Sequence, residues 1–316
     1  MTAGATRGKN PIKERIIPTI QTDPATQSGG YPREWIPGDI SWERSLFMRV
    51  SIGNPGIPVK ERWIKAVLLE NLTPEGTGVN LIFRIGKNFK SEGKMPELFD
   101  VWPDEYERWF QTPIGRLVRK VEMDLVLDLL KPSPGERILD AGCGTGIFTT
   151  EILNRETRVA GLDLSLPMLR RANSKEYAYL ELLQGDMRHL PFPEGSFDKT
   201  VSITALEFIV NGKQAIDELF RVTKKGGTIV VATLNRLSPW AVPREEKGKK
   251  GHPLFSRVVF RTPEEMAALT SRAGILRTAV HFEKEEDPRR ALEVEEAGKK
   301  KRLLTGAFLA VRWEKP

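Results

Sequence analysis

This sequence predicts an α/β fold: a doubly wound, mostly parallel sheet of seven strands preceded by an N-terminal extension. Three observations predict it. From about residue 101 onward, apolar runs of strand length alternate with stretches of helical period, the pattern of a parallel sheet covered on both faces. The first such run ends in a cluster of glycines, and each of the next two ends in an aspartate. In sheets of this kind ligands sit beyond the carboxyl ends of the strands, which is where these residues fall.

The elements follow in order. "PDEYERWFQTPIGRLVRKVEMDLVLDLLKPSPGE" carries apolar residues at helical spacing and is stopped by "PSPG". "RILDA" is a strand and "GIFTTEILNRE" a helix; "RVAGLDL" and "SLPMLRRANSK" repeat the pair. "AYLELLQGD" and "SFDKTVSITA" are strands, followed by the helix "GKQAIDELFRVTK" and the β-branched strand "GGTIVVATLN". "TPEEMAALTSRAG" is a helix with Thr262 as cap and Pro263 in its first position. "ILRTAVHFEKE" and "GAFLAVRWEK" close the chain as strands. Residues 1–30, polar and rich in Thr, Gly and Pro, read as a mobile tail. Residues 31–100 form an extension of unknown role, in which "RWIKAVLLENL" and "GVNLIFRIGKNF" are two ordered elements joined by the turn "TPEGTG".

Composition bounds the function. The 316 residues are 40% hydrophobic and 29% charged, as in ordinary soluble domains. No apolar run approaches the roughly 20 residues that span a bilayer, and the first residues lack a secretory leader. One cysteine excludes an internal disulfide and a two-cysteine metal clip, so no metal is expected and the cytoplasm is the expected compartment. The net charge of +7 permits an anionic partner without demanding one. Runs such as "EKEEDPRRALEVEEAGKKKR" interleave both signs and read as a solvated face.

The glycine cluster carries the chemistry. Gly142, Gly144 and Gly146 occupy alternate positions in "LDAGCGTG", although glycine inside an element costs roughly 0.5–1 kcal/mol relative to alanine. Such a loop turns sharply and lets a ligand approach the backbone. It lacks the Gly-Lys-Ser/Thr of a phosphate loop, and its spacing is tighter than the G-x-G-x-x-G of dinucleotide sites. Asp163, 21 residues beyond Gly142, suits the two hydroxyls of a ribose. Asp186 ends the next strand 23 residues later, so acids close three successive strands, Asp140 being the first.

"ILDAGCGTG", "GLDLSLPMLRRA", "LLQGDMRHLPFPEGSFDKTVSITALEFI" and "ELFRVTKKGGTIVVATLN" resemble, in order and spacing, the motifs of class I S-adenosylmethionine-dependent methyltransferases. The likeness covers residues 101–316 and is greatest to the small-molecule branch containing the quinone- and sterol-type enzymes. It implies a Rossmann-like fold and S-adenosylmethionine as cofactor. By position, Gly142, Gly144 and Gly146 would pass under the methionine part of the cofactor, with Cys143 as a small filler among them. Asp140 would orient that loop or meet the amino group; Asp163 would hold the ribose; Leu164 and Met168 would border the adenine. Asp186 would accept the adenine amino group while the Met187 backbone reads the ring edge, and Thr204 and Ala205 would line the methionine arm. "YERWFQTPIGRLVRK" resembles the helix that folds over the cofactor in this branch, with Tyr106 and Arg116 as contacts and Trp109 and Phe110 as a cover; the other reading makes these aromatics core.

A sulfonium methyl is already activated, so placement does most of the work and a general base is optional. Glu207 and His252 are the candidates for one; His189 and His281 read as structural residues. "SITALEFI" is not the Asn/Asp-Pro-Pro-Tyr/Phe of enzymes that methylate base amines, and no RNA-binding module is evident, so nucleic acid is disfavoured. The expected acceptor is a small or lipid-like molecule, with peripheral membrane contact left open. Its pocket would lie between Tyr106–Arg116, Glu207 and the loop holding Pro239, Trp240 and Phe255. The alternatives are a protein or RNA methyltransferase in which residues 1–100 recruit the macromolecule, and a non-catalytic S-adenosylmethionine-binding protein.

Overall fold

The computed structural model describes residues 43–52, 60–69, 80–85, 99–100 and 103–316. The tail expected over 1–30 lies outside the described residues, as does much of the extension over 31–100. Strands β4 (Arg137–Ala141), β5 (Arg158–Asp163), β6 (Leu180–Gln184), β7 (Phe197–Ile203), β8 (Thr223–Leu234), β9 (Ile275–Ala279) and β10 (Phe308–Glu314) make the seven-stranded unit, in the order β6-β5-β4-β7-β8-β10-β9. Only β10 runs against its neighbours. Three earlier strands, β1 (Glu43–Ile52), β2 (Lys60–Leu69) and β3 (Asn80–Ile85), extend the sheet, with β3 pairing in parallel with β6. The two elements expected in the extension are β2 and β3; β1 went unread.

Burial explains the strands. β4 reads as one exposed residue and four buried ones, because a parallel strand is covered on both faces. Its neighbours split between two cores at period two. Ile138, Val230, Phe308 and Ala310 join the helix α2 (Pro113–Leu130) on one face. Leu139, Val231, Leu309 and Val311 join the helix α5 (Gly212–Val222) on the other. Helix α5 buries Ala215, Ile216, Leu219 and Phe220 at helical spacing.

Shorter helices complete the wrapping: α3 (Thr149–Leu153), α4 (Leu166–Asn173), α6 (Ala241–Lys249), α7 (Pro263–Ala267) and α8 (Pro288–Lys301). The capping box expected at Thr262 is formed with Glu265, and Pro263 follows it. The "EKEEDPRRALEVEEAGKKKR" stretch is a helix as well as a solvated face: Asp287 caps α8, whose Ala291, Glu295 and Gly298 are buried.

The helix expected across 103–130 is broken. α1 (Pro103–Gln111) ends at Thr112, whose hydroxyl accepts from the Gly115 amide and caps α2, with Pro113 next. A Cβ at Gly115 would sit 2.1 Å from the Trp109 carbonyl oxygen, so the corner closes only because that residue is glycine. The corner turns α1 across the carboxyl ends of the strands. Chain order reverses between β4 and β7, so the switch-point crevice opens beneath α1. Thr112→Ala is expected to lower the unfolding free energy by about 1 kcal/mol, read as a shifted midpoint in urea titration.

Candidate active site

The loop after β4 is built on the glycines. Gly142, Gly144 and Gly146 have φ of 86°, 54° and 74°, the left-handed region that only glycine enters without cost. The Gly142 and Cys143 amides donate to the Leu162 carbonyl, binding the bend to β5. A Cβ on Gly142 would lie 2.3 Å from that of Ala205, whereas one on Gly144 would meet nothing within 4 Å. The loop is therefore closed against β7 at one glycine and open to the crevice at the next.

Asp163 locks this geometry. Its Oδ2 accepts from the Gly144 amide and its Oδ1 from the Ser165 amide, both at 2.8 Å. Burial raises its pKa, while those amides pull it back down. Asp140, 2% exposed, accepts from the Thr149 hydroxyl at 2.6 Å. Burial, with the nearby Asp163 charge, pushes Asp140 up to about 7. Asp186 is held differently: Arg188 grips both its oxygens, at 2.9 and 3.1 Å from Nε and 2.7 Å from Nη2.

These residues line one cavity of about 770 Å³. Of the expected cofactor set, it brings together Tyr106, Asp140, Gly142, Cys143, Gly144, Asp163, Leu164, Met168, Asp186, Met187, Thr204 and Ala205. Glu207, His252, Trp109 and Phe110 line it too. Two of the expected residues stand elsewhere. Arg116 is exposed on the first turn of α2 and donates to the Gln111 carbonyl, off the stripe of Gly115, Val118, Glu122 and Val126 that the helix buries. Gly146 closes the loop rather than facing the cavity: its amide donates to the Cys143 carbonyl, and its open side meets Ala172. His189 is exposed and bonds Gln214. His281 is paired with Glu295 under α8.

The cavity has an aromatic wall and an acidic floor. Tyr106, Phe110 and Phe148 stack edge to face at 5.2 and 5.5 Å. The Tyr106 hydroxyl bonds Thr204, and burial with the nearby Glu122 carboxyl raises its pKa. Thr204 is a β-branched residue at φ 48°, an uncommon conformation held just past β7 by the hydrogen bond its N–H donates to the Ala232 carbonyl. Helix α1 is fastened over the crevice through Glu107, which pairs with Arg171 at 2.8 Å and Lys175 at 2.6 Å.

Glu207, 2% exposed, accepts from the Thr233 hydroxyl at 3.1 Å, and burial pushes it up to about 7. His252 lies tilted against Phe255, 4.7 Å between centroids, with its Nδ1 accepting from the Leu254 and Phe255 amides. Two residues of this end escaped the sequence reading. Glu122 faces the cavity from α2, and burial pushes it up to about 8. The signal was present: it falls on the stripe of Val118, Val121 and Val126 that α2 buries. Arg244, on α6, sits over the Trp240 ring at 4.9 Å; nothing in the sequence marked that helix.

A family profile described as a methyltransferase domain matches residues 139–231. A malonyl-[acyl-carrier protein] O-methyltransferase of Pectobacterium atrosepticum is 30% identical over 52% of this chain and 73% of its own. A demethylmenaquinone methyltransferase of Renibacterium salmoninarum is 36% identical over 34% of this chain and 45% of its own. The chain spans as little as 37% of the length of the curated relatives it matches. Among solved structures, a S-adenosylmethionine-dependent methyltransferase of Thermotoga maritima superposes with a TM-score of 0.55 at 24% identity, over 70% of this chain and 100% of that one, a likeness of fold. Among the described residues no cluster of metal-binding side chains occurs, and no helix is long and apolar enough to cross a membrane.

The buried acids carry a pH signature. Glu122 and Glu207 have folded pKa values above their ordinary ones, so ionisation is harder folded than unfolded. The stability they contribute is complete below about pH 4 and is lost as pH rises through 7 and 8. Glu122→Gln is therefore expected to flatten the fall in denaturation midpoint over that interval, measured against the parent chain without ligand.

Proposed function

The chain belongs to the class I S-adenosylmethionine-dependent methyltransferases, and on that premise we propose that it transfers the cofactor's methyl group to a small or lipid-like acceptor in the cytoplasm. One observation carries the reading: the glycine loop with its acids and a second, aromatic pole share a single cavity. The residues fit the cofactor, because Gly144 leaves open space where a side chain would stand and Asp163 is already oriented by two amides.

In this reading Asp163 takes the ribose hydroxyls with its remaining lone pairs. Leu164 and Met168 border the adenine; Asp186 accepts its amino group, and the Met187 backbone reads the ring edge. Gly142, Gly144, Cys143, Thr204 and Ala205 line the methionine arm, with Asp140 and Tyr106 at its inner end. The bound cofactor supplies a sulfonium methyl, to which the acceptor atom bonds as the carbon–sulfur bond breaks and its electron pair stays on sulfur.

The chain's own part is placement and exclusion of water. Phe110 and Phe148 are 7% and 5% exposed and close one side of the cavity. Trp240 is anchored by its indole N–H to the Phe282 carbonyl at 2.6 Å, so the loop after β8 presents a fixed apolar surface. Such positioning can supply roughly 7–11 kcal/mol of a barrier. Glu207, poised near neutrality in the turn after β7, is the group available to hold a proton that an acceptor gives up. The relatives named for malonyl-[acyl-carrier protein] and demethylmenaquinone support a small or lipid-like acceptor. A macromolecular acceptor recruited by residues 1–100 draws on a segment that lies mostly outside the described residues.

Charge-assisted hydrogen bonds are worth about 1.5–3 kcal/mol. Calorimetric titration with S-adenosylmethionine is therefore expected to show Asp163→Ala binding at least about tenfold more weakly than the parent chain. Equal affinity in the two proteins would remove the cofactor from this loop.

A further inference from the structure

Two ionisable side chains of the cavity, Glu122 and Arg244, are given no role by the reading of the cofactor site above. Glu122 is 7% exposed, and among the described residues no hydrogen bond or ion pair reaches its carboxyl; Arg244 attracts it and Glu207 repels it at longer range. Arg244 lies over the rings of Trp240 and Phe255, at 4.9 and 5.8 Å from their centroids. Its guanidinium has no hydrogen-bonded partner among the described residues either. Both face the same cavity. Removing an ionic group from water without a direct partner is costly, and a large part of that cost returns when a ligand supplies the partner.

We propose, resting on the reading of the cavity given above, that Arg244 and Glu122 recognise the acceptor, and that the acceptor is an oxyanion, a carboxylate or a phenolate, on an apolar body. The guanidinium offers paired N–H donors in one plane, which match an oxyanion better than a neutral oxygen. It is fixed in orientation by the two rings it lies on, so little rotamer freedom is lost on binding. Trp240, Phe255 and Val258 provide contact for the apolar body.

Charge balance points the same way. Burial keeps Glu122 protonated at neutral pH, where it donates a hydrogen bond instead of repelling an anion. The cofactor's sulfonium and Arg244 are both cationic, and a negative charge on the acceptor would give the Arg244 guanidinium the direct partner that the longer-range pull of Glu122 and Glu207 does not. A cationic acceptor would meet two like charges, and a neutral one would leave the Arg244 donors unanswered.

The test is calorimetric binding in the presence of S-adenosylhomocysteine, without turnover. Decanoate is compared with decanol, and dinitrophenolate with dinitroanisole; the two pairs separate a carboxylate from a phenolate source. At least one oxyanion is expected to bind about tenfold or more tightly than its neutral counterpart, and Arg244→Gln to abolish that preference. Arg244→Lys is expected to retain part of it. Binding of S-adenosylhomocysteine by each variant certifies its fold.

The groups facing Glu122 are Arg244 from α6, Glu207 from the turn after β7 and Tyr106 from α1. Oxyanion affinity is expected to fall as pH rises from about 6 to about 9, as Glu122 and Glu207 ionise, and to fall less in Glu122→Gln. No preference for either oxyanion, or one untouched by Arg244→Gln, overturns the proposal and leaves the methyltransferase reading standing. Failure of the parent chain to bind S-adenosylhomocysteine overturns both.

Discussion

The carboxylate of Asp163 bonded to the amides of Gly144 and Ser165 is the constraint on which the site depends. It ties the bend after β4, already bonded through two amides to the Leu162 carbonyl of β5, to the turn that follows β5. Loop backbone at the end of a sheet needs partners for its amides, and here a buried acid supplies two of them. The same contacts leave the carboxylate aimed along the crevice with acceptor capacity in reserve. Replacing it would therefore loosen the loop and weaken ligand binding together.

Around that lock the chain tolerates costs that a purely structural core avoids. Asp140, Glu122 and Glu207 are buried acids, each pushed up toward neutrality because burial outweighs the groups that would hold it ionised. Thr204 adopts a conformation that β-branched residues rarely take, and it does so where β7 opens into the cavity. Departures from local rules that gather at one place mark a functional site more reliably than any one of them does. The aromatic wall and α1 then enclose these groups, which strengthens every electrostatic interaction within the cavity.

Much of this was legible in the sequence, for identifiable reasons. Strand ends carrying Asp140, Asp163 and Asp186 stand at fixed distances along the chain, and the glycines between them have few uses other than a left-handed bend. The doubly wound sheet follows from strand and helix periods alone, and the Thr262 cap from a four-residue signature. What escaped notice depends on three dimensions. Arg116, chosen from a likeness of motif, falls on the exposed side of α2, and periodicity carried one helix through the break that the Thr112 cap makes. Arg244 was invisible because α6, with Pro243 and Gly248 in "AVPREEKGK", has no amphipathic pattern to announce it. Glu122 stood in plain view on an apolar stripe. A charge on that stripe is the kind of local conflict that points to function, but its partners are 85 and 122 residues away in sequence.

The most direct measurement is a crystal structure of the chain soaked with S-adenosylhomocysteine. The account predicts density beneath α1, with the ribose at Asp163, the adenine against Leu164 and the sulfur directed toward Tyr106 and Glu207. Density elsewhere, or a ligand in this crevice that leaves Asp163 untouched, would contradict it.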